Sequence, residues 1–179
     1  MRRPAGEASV SPELFRAAAR HFASGVTVAA AMHDGVSHAI TATAFCSLSL
    51  EPALVLVAVR TGGRLLPLVE ASHAFGISVL ADHQRHVGEW AALRREPEQD
   101  LPLLASVTAV TGSPLVPDAL AWFDCRLEST AVHGDHTLLI GRVLAASGDE
   151  HLEPLLYFRG EYRRIGGRAH LPSDEPDRR

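Results

Sequence analysis

TATAFCSLSLEP, residues 41–52, alternates between two kinds of side chain up to the Glu-Pro pair. Successive side chains of a β-strand point to opposite faces, so this period of two predicts a strand with two unlike faces. One face carries small hydroxyls around an aromatic ring, namely Thr41, Thr43, Phe45, Ser47 and Ser49. The other face is apolar and consists of Ala42, Ala44, Cys46, Leu48 and Leu50. We expect the apolar face to pack into a core, and the hydroxyl face either to line a ligand site or to face water.

The composition of the chain is that of a globular protein with one domain. Its 179 residues suffice for a sizeable core, and 46% of them are hydrophobic and 21% charged. The net charge of −4 argues against nucleic acid as the main partner, because phosphate neutralisation needs a basic surface. We expect a flexible N-terminus at 1–10, a single domain at 11–165 and a disordered tail at 166–179, where Gly, Pro and charged residues dominate.

The expected location is the cytoplasm, and no membrane association is expected. No apolar run reaches the roughly 20 residues that a membrane-spanning helix needs. The two arginines of MRRPAGEASV (1–10) are not followed by the apolar stretch of a signal peptide. Cys46 and Cys125 are far apart in the sequence and form no disulfide framework, which fits a reducing compartment.

The periodicity of apolar residues predicts many short strands and few helices. Ser11-Pro12-Glu13 begins a helix with an N-cap hydroxyl, and Asp34-Gly35 is typical of a hairpin turn. We expect helices from Ser11 towards Gly25, at 65–71 and at 83–94 with Asp82 as cap, a loop at 95–102, and strands at 26–31, 37–50, 54–59, 75–80, 123–128, 137–146 and 155–165. This order favours an antiparallel β-barrel or sandwich with peripheral helices over a doubly wound sheet.

Two polar loops are candidates for ligand binding. RTGGR (60–64) combines two glycines, which expose backbone N–H groups, with two arginines, and such a loop can hold a phosphate or can be a solvated surface loop. HGDH (133–136) has a glycine suited to a tight turn and an aspartate able to orient a histidine by a hydrogen bond.

Side-chain catalysis has little support in the sequence. His83 and His86 lie at helical spacing with Asp82 and Glu89 nearby, and His133 and His136 bracket a turn. These pairs do not visibly converge on the three or four ligands that zinc needs. The sequence has no GxSxG elbow and no glycine fingerprint of the common nucleotide-binding folds. These absences are expected where a cofactor carries the chemistry.

Five segments of the chain stand in an order that is specific to one protein family. They are FRAAARHFASGVTVAAA (15–31), HAITATAFCSLSLEPALVLVAV (38–59), FGISVLADHQ (75–84), GDHTLLIGRV (134–143) and PLLYFRGEYRR (154–164). Together they resemble the short-chain flavin reductase family over about residues 13–165. The resemblance implies an antiparallel FMN-binding split β-barrel of Greek-key type, and a homodimer with flavin near the subunit interface.

The same resemblance implies an activity. NADH or NADPH would pass a hydride to FMN or FAD, and the reduced flavin would serve a partner monooxygenase. Proximity and stacking supply most of such catalysis, so no protein nucleophile is needed. The alternative is a split-barrel protein that binds FMN without reducing it. The GDH segment favours the enzyme, because a pure flavin binder has no need of a nicotinamide contact.

The resemblance also assigns site residues. His136 matches the histidine that contacts the reduced nicotinamide, and no metal is implied. The implied cofactor contacts are Thr41, Ala42, Thr43, Ala44, Phe45, Cys46, Ser47, Ser49, Arg64, Ser78, Val79, Leu80, Gln84, Gly134, Asp135 and Tyr157. Gly63 and Leu65 stand where the family often has Ser and Thr, so two hydroxyls able to bind phosphate are missing. A flavin beside 41–49 would also require the strand to bend near Ala44-Phe45, and Phe45 then need not share the face of Thr41.

Overall fold

The computed structural model describes residues 10–93 and 107–166. Antiparallel strands dominate these ranges, as the sequence predicts, and the three helices lie at the periphery. The elements are α1 (Pro12–Ala19), β1 (Ser24–Gly25), β2 (Thr27–His33), β3 (Val36–Ala42), β4 (Phe45–Leu50), β5 (Ala53–Arg60), α2 (Leu65–Ser72), β6 (Ala74–Val79), a 3₁₀ turn (Asp82–Gln84), α3 (Arg85–Ala92), β7 (Ala121–His133), β8 (His136–Gly148), β9 (Leu156–Phe158) and β10 (Glu161–Arg163).

The main sheet has seven strands in the order β3-β2-β6-β7-β8-β5-β4, and each neighbouring pair is antiparallel. Its two edge strands, β3 and β4, follow one another in the chain and are separated only by Thr43 and Ala44. The three Cα–Cα steps from Ala42 to Phe45 span at most about 10 Å, so the sheet must curl until its edges meet. The N–H of Ala58 in β5 donates to the carbonyl of Ala44 at 3.0 Å and fixes this connector. The curled sheet is the predicted barrel.

Two apolar clusters hold the sheet and the helices together. The first fills the curled sheet and its contact with α2, and it includes Leu65, Phe75 and Leu139, each at most 1% exposed. Gly141 makes room for Phe75, because a Cβ at this position would lie 2.4 Å from the ring. The second cluster joins β2 and β3 to α3, with Val28 and Val87 among its members. The second cluster therefore holds α3 against the outside of the barrel.

Several local predictions are confirmed. Ser11 caps α1 by accepting the N–H of Leu14 at 3.2 Å, with Pro12 as the first helical residue. Asp34 and Gly35 form the β2–β3 turn, with φ angles of 49° and 77°. Helix α2 follows the 60–64 loop, and β7 and β8 meet at the 134–135 turn. The strand predicted at 37–50 is interrupted at 43–44, which is the expected bend.

Other boundaries were wrong. Helix α1 ends at Ala19, and Gly25 pairs with Leu156 in a small second sheet of order β1-β9-β10. The strand predicted at 155–165 is a hairpin, since the chain reverses at Arg159-Gly160 with φ angles of 53° and 86°. Asp82 does not cap α3, because it is the first residue of the preceding 3₁₀ turn and the N-cap position of α3 is Gln84. The loop expected at 95–102, and most of both predicted terminal segments, lie outside the described residues.

The predicted orientation of 41–50 was wrong for β4. Leu48 and Leu50 are 46% and 90% exposed, although alternation placed them in the barrel. Phe45 instead packs against the core, with its ring centre 5.6 Å from that of Phe123. The connector at 43–44 shifts the alternation between β3 and β4, and a bulge between Ser47 and Ser49 shifts it again. The apolar face of β4 therefore lies on the outside of the chain.

Candidate active site

The two polar loops singled out in the sequence form one structural unit. The N–H of Thr61 donates to the carbonyl of Asp135 at 3.0 Å, and the hydroxyls of Thr61 and Thr137 are 2.9 Å apart. Arg60 and His136 face each other as the last pair of the β5–β8 ladder. The 60–64 loop and the 134–135 turn are thus fixed to each other at one end of the barrel.

A cavity of about 680 Å³ opens beside this unit. Its walls are the end of β3 with the 43–44 connector, the end of β5 with the 60–64 loop, the last turn of α3, and His136. Pockets for cofactors and other small ligands typically have volumes of about 300–1,000 Å³. Six predicted site residues line this one: Thr41, Ala42, Thr43, Ala44, Arg64 and His136.

Apolar residues, basic groups and neutral polar groups line the cavity, and none of the described lining residues is acidic. Arg60 and Arg64 bring two permanent positive charges, and the imidazoles of His38 and His136 lie on the same walls. The chain as a whole has a net charge of −4, so this concentration of basic groups is local. We call this space the cationic cavity. Its charge suits an anionic ligand, and its alanines leave room for a flat one.

The Asp135 carboxylate holds the ring of His136 in place. Its Oδ1 lies 2.8 Å from Nδ1 of the imidazole, and Gly134 permits the turn with a φ angle of 63°. The hydrogen bond to His136 is the main cause that lowers the pKa of Asp135 below its usual value, and the charges of His136 and Arg60 act in the same direction. With Nδ1 engaged by Asp135, the other ring nitrogen, Nε2, is left for a ligand.

The hydroxyl face of 41–49 is divided by the fold. The Thr41 hydroxyl donates to the carbonyl of Gly88 in α3 at 2.6 Å, so its hydrogen is used within the protein and its lone pairs remain as acceptors. Thr43 is exposed on the cavity wall. The remaining predicted residues of this segment, which are Phe45, Cys46, Ser47 and Ser49, lie on β4 and do not line the cavity.

The predicted residues around β6 lie away from the cavity. Ser78 is 1% exposed, and its Oγ accepts the N–H of Val116 at 2.9 Å. Leu80 is fully buried in the second apolar cluster. Gln84 accepts from the N–H of Ala81 and donates to the carbonyl of Pro117. The side chains of these residues serve the protein interior and do not line the cavity, so their contact with the cofactor stays a prediction.

Val79 and Tyr157 are not part of the cavity wall either. Val79 is the last residue of β6 and pairs with Thr27. The Tyr157 ring packs edge-on against Tyr162, with ring centres 5.4 Å apart. The cavity of the single chain gives no support to a cofactor contact by these two side chains.

Sequence reasoning did not assign His38, Arg60 or the end of α3 to the site. His38 lies on the same face of β3 as Ile40 and Ala42. The alternation of side chains along the strand could therefore have predicted that His38 lies beside Ala42 in the site. Arg60 was part of a candidate phosphate loop but was not named as a ligand. Ala91–Leu93 reach the cavity through packing of α3 on β3, and no local pattern announces this contact.

Within residues 10–93 and 107–166, no three His, Cys, Asp or Glu side chains are arranged to hold a metal ion. The two cysteines are free thiols. Burial, helped by the charge of Asp124, raises the pKa of Cys125 to about 12, so this thiol stays neutral and unreactive. In the same part of the chain, every helix is too short or too polar to cross a bilayer.

Comparison with known proteins places the chain among flavin-dependent systems. Residues 19–166 match the family described as "Flavin reductase like domain". The chain is 40% identical over 153 residues to the reductase component of 4-hydroxyphenylacetate 3-monooxygenase from Thermus thermophilus, covering 86% of this chain and 96% of that protein. It is 36% identical over 151 residues to the NADH-dependent flavin reductase StyB from Pseudomonas fluorescens, with coverages of 83% and 86%.

A solved structure shares the fold. BorF, the flavin reductase component of a bacterial two-component tryptophan halogenase, superposes with a TM-score of 0.80 at 38% sequence identity. The match covers 88% of this chain and 100% of BorF.

Proposed function

The chain belongs to the flavin reductase family, and on this premise we propose that the cationic cavity is where flavin and nicotinamide meet. The protein is an NAD(P)H-dependent flavin reductase that supplies reduced flavin to a partner monooxygenase. We assign the site from one observation: hydrogen bonds join the 60–64 loop to the 134–135 turn, and both border the same cavity.

The residues of the cationic cavity fit a flavin nucleotide. When bound, the flavin accepts a hydride from the nicotinamide, so the protein has only to bind and orient the two molecules. Arg60 and Arg64 would hold the phosphate together with the backbone N–H of Gly62, because the N–H of Gly63 already donates to the carbonyl of Arg60 at 2.9 Å. The short side chains at 41–44 would let the flavin ring approach the backbone. Because the Thr41 hydroxyl already donates to Gly88, it would accept from the ligand.

His136 would orient the nicotinamide. Asp135 engages its Nδ1, so Nε2 is the nitrogen available to the carboxamide of the incoming cofactor. This role distinguishes the reductase from a protein that only stores flavin. We propose NADH as the preferred donor, because the similar protein StyB is named NADH-dependent. We propose that either FMN or FAD serves as the acceptor.

We propose that the protein is a homodimer. Helix α1 has no buried residue in the single chain, and Leu14, Phe15 and Phe22 are 60%, 65% and 80% exposed. The apolar face of β4 adds Leu50, which is 90% exposed. Apolar side chains exposed in this way are typical of surfaces that are covered by another chain.

We place the enzyme in the cytoplasm, where the exposed thiol of Cys46 stays reduced.

The test is steady-state kinetics with every combination of NADH or NADPH and FMN or FAD. We expect His136→Ala to raise the KM for NADH about tenfold, equivalent to about 1.4 kcal/mol, with little change in flavin affinity. His133→Ala is the matched control, since His133 faces His136 across the turn but does not line the cavity. Flavin binding without any nicotinamide oxidation by the wild-type protein would favour the storage alternative. Unchanged NADH kinetics in His136→Ala would contradict the role of this residue.

A further inference from the structure

Helix α3 forms one wall of the cationic cavity through Ala91 and Ala92 in its last turn and Leu93 directly after it. A wall made by a separate helix has to be held at a fixed distance from the sheet if the cavity is to keep its width. Gly88, near the middle of the helix, lies against both the sheet and the C-terminal hairpin. The inference below rests on the proposed flavin site.

On the side of the sheet, a hydrogen bond joins α3 to β3. The Thr41 hydroxyl donates to the Gly88 carbonyl at 2.6 Å, which is a short contact for a neutral pair. Thr41 also lines the cavity, so the bond joins two of its walls directly.

The C-terminal hairpin β9–β10 also lies against Gly88. A Cβ at Gly88 would lie 3.2 Å from the Tyr162 hydroxyl oxygen, and 3.4 Å from both the Cε1 of Tyr162 and the Cδ1 of Leu80. Only a residue without a side chain fits between these groups without displacement. A cavity wall thus touches a segment more than seventy residues away in sequence.

The Tyr162 ring is itself restrained. Tyr157 packs edge-on against it with ring centres 5.4 Å apart, and the guanidinium of Arg85 lies 5.7 Å from its centre. Arg85 belongs to α3 and is bonded to Glu89 of the same helix at 2.7 Å. The ring therefore has contacts on several sides that limit how far it can move away from the helix.

We propose that Gly88 and Tyr162 are positioning residues that set the distance of α3 from β3, and through it the affinity of the cationic cavity for flavin. Neither residue lines the cavity. Both act through the placement of Ala91–Leu93 and of the Thr41 hydroxyl. The hairpin β9–β10, which the sequence presents as a single terminal strand, becomes part of the support of the binding site.

Gly88→Ala tests this directly. The added methyl group requires its neighbours to move by a few tenths of an ångström, which displaces α3 from Tyr162 and strains the Thr41 bond. We expect the Kd for FMN, measured by quenching of flavin fluorescence, to rise about fivefold. Alanine is the better helix former by about 1 kcal/mol, so the thermal unfolding temperature should not fall in parallel.

A second substitution supplies the rescue. In the double variant Gly88→Ala with Tyr162→Phe, the oxygen nearest to the new methyl group is gone, and we expect the FMN Kd to return to within about twofold of that of Tyr162→Phe alone. Gly25→Ala is the matched control, because Gly25 pairs with the same hairpin but has open space at its Cβ position. This control should bind FMN as the wild type does.

Three results would overturn the proposal. The first is a wild-type FMN Kd in Gly88→Ala. The second is a raised Kd in Gly88→Ala that the Tyr162→Phe change does not restore. The third is amide hydrogen exchange over 85–93 that is equally fast in wild-type protein with and without FMN. The exchange experiment needs no substitution, so it decides the matter even where the Gly88→Ala chain fails to fold. A wild-type protein that binds no flavin would refute the proposed site instead, which separates the two failures.

Discussion

The orientation of His136 depends on the carboxylate of Asp135. It is exposed, yet its pKa is lowered because it accepts a hydrogen bond from the imidazole. Because the pKa of Asp135 is lower in the folded protein than its value of 3.8 in the unfolded chain, the ionised carboxylate stabilises the fold above pH 3.8. This stabilisation is lost as the pH falls through the lower pKa of the folded protein. Near neutral pH the carboxylate is therefore charged, and the imidazole keeps its anchor.

Replacing Asp135 should impair nicotinamide binding specifically. We expect Asp135→Asn to raise the KM for NADH about threefold to tenfold while the Kd for FMN stays unchanged, because the uncharged amide holds the imidazole less firmly. Asp34→Asn is the control, since Asp34 lies 3.3 Å from His33 in a similar hairpin turn outside the cavity. Equal effects of the two variants on the KM for NADH would show that Asp135 has no special role.

At the scale of elements, the sequence predicted what depends on neighbours in the chain. Asp34-Gly35, the N-cap at Ser11 and the position of α2 each follow from a few adjacent residues, and all are confirmed. The face of β4 was predicted wrongly, because alternation assumes an unbroken strand and the 43–44 connector interrupts it. The contact of Thr41 with Gly88 joins residues 47 positions apart, which no local pattern encodes.

The contact between the 60–64 loop and the 134–135 turn is likewise one that no local sequence pattern predicts. Each was recognised as a candidate, but their union depends on the pairing of β5 with β8. That pairing brings Arg60 opposite His136 and lets Thr61 bond to both Asp135 and Thr137. We infer that Thr61 couples the proposed phosphate loop to the proposed nicotinamide contact.

Removing the Thr61 hydroxyl should therefore weaken the binding of both flavin and nicotinamide. Thr61→Val leaves the hydroxyl of Thr137, which is only 1% exposed, without its partner, and an unpaired buried group costs about 1–3 kcal/mol. We expect lower stability to urea, together with a higher Kd for FMN and a higher KM for NADH. Thr61→Ser keeps the hydroxyl and should resemble the wild type. A change in stability alone, with both ligands bound normally, would disprove the coupling.

At the scale of the whole molecule, closure of the sheet explains where the site and the exposed faces lie. The connector that joins β3 to β4 closes the barrel, lines the cationic cavity and directs the apolar side of β4 outward. A single short segment thus connects the ligand site to the surface that we propose is covered in a dimer. We infer from this arrangement that flavin binding and subunit association depend on one another.

Leu50→Glu tests that dependence. The side chain is 90% exposed in the single chain, so a charge there costs the monomer little, but burying it in an interface without a partner is strongly unfavourable. We expect the wild type to sediment as a dimer, and Leu50→Glu to sediment as a monomer with a weakened FMN Kd. Ile165→Glu is the matched control, because Ile165 is also an exposed aliphatic residue, at 53%, and lies outside α1 and β4. A monomeric wild type would refute the dimer, whereas a monomeric Leu50→Glu protein with the wild-type FMN Kd would refute only its link to flavin binding.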